Sequence, residues 1–138
     1  MKIWRYHIPL KNKYYLHMKK FLALIVVLVI IGFSGYFAFI YYVPVSEGIR
    51  SGELIRLSHK GIVIKTWEGE LSQGISGAQI FKFSVLDSDK EVIEKMKDLQ
   101  GQYVKLTYIE KYRTFVWWGE TRYFITSIQK EKSPFDQR

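Results

Sequence analysis

Residues 21–43 read FLALIVVLVIIGFSGYFAFIYYV and contain no charged side chain, and this stretch decides how the rest of the chain is organised. As a helix it would extend about 34 Å, which exceeds the hydrocarbon core of a bilayer at about 30 Å. It is longer than the apolar core of a cleaved signal peptide, and it ends in tyrosines and phenylalanines, which favour the membrane interface. We therefore predict a transmembrane helix over residues 21–43, ended by Pro44.

The charges predict how this helix is oriented. The 138-residue chain has 21 Lys and Arg against 13 Asp and Glu, a formal net charge of +8. Six of the cations and none of the acids precede residue 21, so the part after residue 43 carries 15 cations and 13 acids. Because positive flanks stay in the cytoplasm, we expect a single-pass protein of the bacterial inner membrane with residues 44–138 in the periplasm.

The first residues leave two interpretations open. Met18-Lys19-Lys20, directly before the apolar run, resembles a natural start, which would make residues 1–17 an upstream extension. Alternatively, the aromatic and basic side chains of this segment form an interfacial stretch attracted to anionic lipid. In either case residues 1–20 are predicted to be a basic cytoplasmic segment.

After Ser46 the pattern changes to short alternating runs separated by turn residues, which is typical of strands. We predict strands over 53–58 and 62–68, joined by a turn at Ser58–Gly61, and then a loop over 69–78. The third strand has the clearest period of two and places one set of apolar side chains on one face: Phe81, Phe83 and Val85.

A single helix is predicted after the third strand. Ser88 and Glu91 have the spacing of a capping box, and Gly101 has the position of a C-terminal cap. Its apolar face is predicted to be Val92, Met96 and Leu99. Two strands follow, over 103–109 and 122–128, and the second is expected to place Phe124, Thr126 and Ile128 on one face.

The predicted order is therefore β-β-β-α-β-β over residues 44–130, followed by a flexible polar tail over 131–138. Five strands with a helix between the third and fourth match the oligonucleotide/oligosaccharide-binding (OB) fold, a small mainly-β barrel. An SH3-like barrel or an α+β sandwich are the alternatives, because a single sequence does not reveal strand order in space.

The segment between the last two strands is the candidate ligand or partner surface, because it combines aromatic rings with cations. In an OB barrel this loop flanks the ligand face, and aromatic rings can stack on bases or sugars. The predicted surface consists of Trp67, Tyr112, Arg113, Phe115, Trp117 and Trp118. The alternative is that Trp117 and Trp118 close the open end of the barrel or rest on the outer leaflet.

The sequence contains few residues that could act in catalysis or bind a metal. There is no cysteine, and His59 is the sole histidine after residue 43. Ser127 and Lys130 have the spacing of a Ser-x-x-Lys dyad, but on a strand two positions three apart point to opposite faces. No Gly-x-Gly-x-x-Gly motif precedes a helix. We predict no catalytic residue, no cofactor and no metal.

Four segments carry a resemblance to a known family: residues 46–58, 60–70, 79–85 and 100–108, within a similarity that covers residues 18–130. They resemble a family of short bacterial single-pass membrane proteins, whose members are often called 6-phosphogluconate dehydrogenases. A dehydrogenase of that kind is several times longer and has a dinucleotide fold with a Gly-rich phosphate loop. The resemblance therefore implies the architecture and adds no catalytic residue.

Together these observations predict a membrane-anchored, non-enzymatic β-barrel interaction module that faces the periplasm. Its expected partners are the lipid bilayer and an envelope protein. A glycan binder using the aromatic loop is the alternative, and nucleic acid is disfavoured because the soluble domain is nearly neutral. The dehydrogenase activity that the family name implies is a further alternative, which lacks the required residues.

Overall fold

A computed structural model describes residues 11–74 and 79–136, in two compact units, Met1–Phe39 and Ile40–Arg138. Several predicted features extend beyond these residues: the start of the basic segment, part of the 69–78 loop, and the end of the polar tail.

The first unit consists of one long helix, α1 (Lys11–Tyr42), whose last three residues group with the second unit. Its stretch Lys13–Tyr42 is long and apolar enough to cross a membrane. The side chains from Lys13 to Phe39 are all exposed, so none of the residues that the structure describes buries this stretch of the helix. The predicted long apolar helix is confirmed, and it begins ten residues before the uncharged run.

The second unit is a five-stranded sheet with a short helix. Its elements are β1 (Pro44–Lys60), β2 (Thr66–Ser72), β3 (Ile80–Val85), α2 (Lys90–Asp98), β4 (Tyr103–Lys111) and β5 (Tyr123–Lys130). The predicted order of strands and helix is confirmed. The strands are ordered β1-β2-β3-β5-β4, and β4 pairs back with β1. The ring is unevenly closed, because the parallel pair β3 and β5 shares only the position Ser84 opposite Phe124.

Strand β1 begins nine residues earlier than predicted, because it pairs with two neighbours in succession. Residues 44–53 lie antiparallel to β4, and residues 53–60 lie antiparallel to β2. At the change of partner lies Gly52, where an added Cβ would overlap the carbonyl of Ser72. Pairing with a strand some sixty residues away leaves no local pattern in the sequence, so the prediction found only the second half.

The interior of the ring is filled by the predicted apolar face of β3 together with side chains from the other strands and α2. The buried cluster consists of Leu54, Leu71, Phe81, Phe83, Val85, Ile93, Met96, Val104, Leu106, Ile125 and Ile128. From α2, Met96 is buried as predicted, Val92 and Leu99 are partly buried, and Ile93 joins the core although it was not predicted.

The start of α2 corrects the predicted capping box. Asp89 is the N-cap residue and its side chain makes no capping hydrogen bond. Glu91 instead accepts a hydrogen bond from Lys95 at 2.7 Å, which lowers the pKa of Glu91. At the other end, Gly101 has φ of 75° and donates its N–H to the Leu54 carbonyl at 2.8 Å, so it adopts the left-handed conformation expected after a helix.

A β-bulge corrects the predicted face of β5. Tyr108 pairs with Ile125 and Thr107 pairs with Ser127, so Thr126 is an extra residue that has no opposite residue in the β4–β5 register. The extra residue reverses the alternation, which buries Ile125 and leaves Thr126 exposed. The prediction that Thr126 shares the inner face was therefore wrong.

Strand β2 includes Gly69, which the prediction placed in a loop. A Cβ at Gly69 would overlap the ring of Phe83, so only glycine leaves room for this core ring. Gly69→Ala should therefore lower the free energy of unfolding by about 1–3 kcal/mol, because the core becomes overpacked. Thermal unfolding of the full chain in detergent, followed by circular dichroism, measures the change.

Gly74→Ala is the matched control, since no atom lies within 4 Å of a Cβ at this position. It should be neutral or slightly stabilising, because alanine restricts the unfolded chain. Equal melting temperatures for the two variants would contradict the packing argument.

Candidate functional site

The loop of residues 112–122, between β4 and β5, is held on the outer face of the sheet by a buried carboxylate. Glu68 is 5% exposed. Its Oε1 accepts hydrogen bonds from Thr66 Oγ1 at 2.8 Å and from the Glu120 N–H at 2.9 Å, and its Oε2 accepts one from Ser84 Oγ at 2.7 Å. The carboxylate is thus satisfied by three donors, one of which belongs to the loop.

Ser84 makes a second connection between the sheet and the loop. The Thr121 N–H donates to Ser84 Oγ at 3.0 Å. Within the loop, Thr114 Oγ1 donates to the Gly119 carbonyl at 2.9 Å, and a Cβ at Gly119 would overlap Ser84. The second half of the loop is therefore fixed tightly against β2 and β3.

The beginning of the loop is held by a buried lysine. Lys111 is 2% exposed, and its Nζ donates to the Tyr41 carbonyl at 2.9 Å. The same Nζ lies 4.0 Å from the ring centre of Tyr41, 4.9 Å from that of Trp118 and 5.4 Å from that of Phe124. These rings stabilise the cation through their π faces. Burial nevertheless lowers the pKa of Lys111, against an opposing influence from Asp89.

Of the predicted surface residues of the loop, Phe115, Trp117 and Trp118 lie together. Trp117 is 52% exposed and stacks on Phe115, with ring centres 5.0 Å apart. Trp118 is partly buried and packs edge-on against Phe115 at 4.9 Å and against Tyr41 at 5.2 Å. Tyr112 and Arg113 are exposed at the start of the loop. Trp118 therefore helps to enclose Lys111, and Trp117 faces outward.

Trp67 belongs to a different cluster. Its ring stacks on His59 at 4.4 Å, its Nε1 donates to Asp87 at 3.1 Å, and the Lys97 Nζ lies 5.1 Å from its ring centre. The pKa of Asp87 is lowered by its hydrogen bonds, first from Lys90 and then from Trp67. Neighbouring residues of a strand point to opposite faces, and Glu68 points toward the loop, so Trp67 points away from it.

The turn between β1 and β2 exposes apolar side chains that the sequence interpretation missed. Residues 62–65 were predicted to begin the second strand, but β2 starts at Thr66. Gly61 turns the chain with φ of 125°, and Ile62 and Val63 are 99% and 92% exposed. We call residues 61–65 the hairpin tip. A run of β-branched residues has the same local signature in a buried strand, so only the preceding glycine hinted at a turn.

The outer face of β1, β2 and β3 is polar and only slightly concave. Arg56 pairs with Glu70 at 3.1 Å, and Lys60 at the base of the hairpin tip pairs with Glu120 of the loop at 3.7 Å. The depression between them encloses about 90 Å³, well below the several hundred Å³ typical of small-molecule sites. Within residues 11–74 and 79–136, no three His, Asp or Glu side chains cluster as metal ligands.

Comparison of the chain with protein-family models, with curated proteins and with solved structures finds no match.

Glu68→Gln tests the attachment of the loop with almost no change in volume. One acceptor oxygen becomes an amide donor that faces another donor, which should lower the free energy of unfolding by about 1–3 kcal/mol. Hydrogen exchange at the Glu120 amide should accelerate as well. Glu70→Gln is the control, since its exposed pair with Arg56 should contribute less than about 1 kcal/mol. Equal protection of the Glu120 amide in both variants would exclude the proposed role.

Lys111→Met tests the buried cation through the pH dependence of stability. Because the folded-state pKa of Lys111 lies below 10.5, the unfolded chain binds more protons between these two values. The stability of the native chain relative to Lys111→Met should therefore increase as the pH rises toward 10.5, and decrease as the pH falls through the folded-state pKa. Urea unfolding at several alkaline pH values measures this difference.

Lys130→Met, at an exposed position of β5, controls for the loss of one positive charge. The measured quantity is the change in stability with pH. If this change in the native chain matched that of Lys111→Met and differed from that of Lys130→Met, the result would be inconsistent with a desolvated Lys111.

Proposed function

We propose that this chain is a membrane-anchored, non-enzymatic interaction module whose β domain faces the periplasm of a bacterial cell. The apolar, exposed α1 supports the anchor, since such a surface is stable in lipid and unfavourable in water. The cations before residue 21 support a cytoplasmic N-terminus.

We further propose that the β domain is of the OB type. Three features support this assignment: the strand order β1-β2-β3-β5-β4, the return pairing of β4 with β1, and the helix between β3 and β4. The small contact between β3 and β5 agrees with the partly open barrel of that fold. In OB domains, the β1–β2 and β4–β5 loops border the binding face. In this chain these two loops are the hairpin tip and the loop of residues 112–122.

The exposed hairpin tip is the observation that carries the proposed function. Apolar side chains held in water at the end of a hairpin contribute little to the fold, whereas contiguous exposed apolar residues often mark a protein contact. Lys60 precedes the tip and Lys65 is its last residue, so an apolar groove bordered by acidic side chains would complement it. Because the anchor confines the module to a plane, even a weak contact of this size can be effective.

An enzymatic role has less support. The depression on the outer face is small, and four of the charged side chains that line it form two ion pairs, Arg56 with Glu70 and Lys60 with Glu120. A dinucleotide-dependent reaction, as the resemblance to so-called dehydrogenases would imply, needs a phosphate-binding glycine loop that opens a helix. Neither the motif nor the corresponding strand-to-helix turn is found in the described part of the chain.

The hairpin tip can be tested with a photo-crosslinking residue at position 63 in the full chain, expressed in its membrane. We expect a discrete cross-linked product with one envelope protein, which disappears when Ile62 and Ile64 are both replaced by Asp. A crosslinker at Ser88, exposed beside α2, is the matched control. Products shared by positions 63 and 88, or products unaffected by the aspartates, would contradict the proposed contact.

The same position reports orientation, because the chain has no native cysteine. Val63→Cys should react with a membrane-impermeant maleimide in intact spheroplasts. Labelling that occurs only after lysis would place the domain in the cytoplasm. Melting temperatures of the tip variants should match that of the native chain, since Ile62 and Val63 are almost fully exposed.

A further inference from the structure

We propose that the first half of the loop of residues 112–122 docks on the lipid headgroups of the membrane that holds the anchor. This inference rests on the proposed membrane anchor and adds a second point of membrane attachment within the β domain. The docking surface, here called the headgroup patch, consists of Tyr42, Tyr112, Arg113, Val116 and Trp117.

The position of the loop relative to the end of the apolar run supports docking on the headgroups. Tyr41 is two residues before Val43, the end of the predicted transmembrane segment, so its backbone lies at the boundary of the hydrocarbon if the helix spans the bilayer. Lys111 Nζ lies 2.9 Å from the Tyr41 carbonyl, and the Trp118 ring lies 5.2 Å from the Tyr41 ring. Both ends of residues 112–117 are therefore fixed beside a residue at headgroup depth.

The chemistry of the exposed side chains in the headgroup patch also supports docking. Val116 is 76% exposed and Trp117 is 52% exposed, and Tyr42 and Tyr112 are exposed as well. Tryptophan and tyrosine are enriched at membrane interfaces, where the ring contacts acyl chains and the polar atom remains hydrated. A surface of this composition is unfavourable in water and well suited to the interface.

The charge of residues 111–119 also favours docking on lipid headgroups. Residues 111–119 contain two cations and no acid, and one of the two, Arg113, is exposed. The acids on either side are engaged: Glu110 accepts from Arg122 at 2.8 Å, and Glu120 pairs with Lys60 at 3.7 Å. Arg113 is exposed and thus available for lipid phosphates, and the carboxylates at either end of this segment are engaged with other cations.

The contacts that order the loop favour docking as well. Thr114 Oγ1 bonds to the Gly119 carbonyl, Phe115 packs between Trp117 and Trp118, and Glu68 holds the Glu120 amide. A surface that is already ordered loses little conformational entropy on docking.

The test uses single-cysteine variants of the full chain, each labelled with an environment-sensitive fluorophore and reconstituted in vesicles that contain anionic lipid. Nitroxide quenchers are attached to the lipid at headgroup depth or deep in the acyl chain. Val116→Cys reports the patch. Ser34→Cys, within the apolar run, reports the anchor, and Ser88→Cys reports a face of the domain outside the patch.

We expect loss of fluorescence and a blue shift for Val116→Cys, strongest with the headgroup quencher, and no loss for Ser88→Cys. Adding Arg113→Gln to Val116→Cys should reduce the quenching in anionic vesicles. Ser34→Cys should be quenched by the deep nitroxide.

The outcomes separate the two proposals. If Ser34→Cys is quenched while Val116→Cys behaves like Ser88→Cys, the anchor stands and headgroup docking is overturned. If Ser34→Cys is not quenched, the anchor itself fails. A label at position 116 that responds to soluble cell-wall glycan fragments and not to quencher lipids would overturn docking in favour of glycan binding.

Discussion

The contact between Lys111 and the carbonyl of Tyr41 is the interaction on which the candidate surface of the loop depends. A buried ammonium group is unfavourable unless its hydration is replaced, and here a backbone oxygen and three aromatic rings replace it. The carbonyl is among the last four of α1, which have no partner within the helix and carry its negative dipole end. A single side chain therefore caps this carbonyl at the end of the helix and fixes the start of the loop.

Glu68 serves the other end of the same loop, and the two residues solve the same physical problem differently. The carboxylate is satisfied by hydrogen bonds from Thr66, Ser84 and Glu120, whereas the cation of Lys111 depends mainly on rings. Both groups would be costly to bury alone. Because each requires its partners, the loop has one favoured arrangement, in which Trp118 is covered and Trp117 is presented outward.

Particular elements explain how far the sequence could predict this structure. The period of two in β3 and the apolar spacing around Met96 were interpreted correctly, because they are local patterns that follow from burial of one face. The run Ile62-Val63-Ile64 was assigned to a strand, since β-branched residues look alike in a strand and in an exposed turn. The bulge at Thr126 and the early start of β1 escaped prediction because both arise from pairing with β4.

The candidate site was predicted only in part for the same reason. The aromatic character of residues 112–118 is visible in the sequence, as is the adjacent charge. The assignment of Trp67 to the same surface fails on the alternation of β2, which directs Glu68 toward the loop and Trp67 toward His59 and α2.

By itself, the sequence determined the long apolar helix, the order of the strands and α2, and the lack of thiol chemistry, because these depend on composition and on local periodicity. Only the tertiary structure decided which side chains meet. Glu120 reaches Glu68 across 52 residues and Lys111 reaches Tyr41 across 70. Such contacts depend on strand register, and a shift of one residue would reverse every face of a strand.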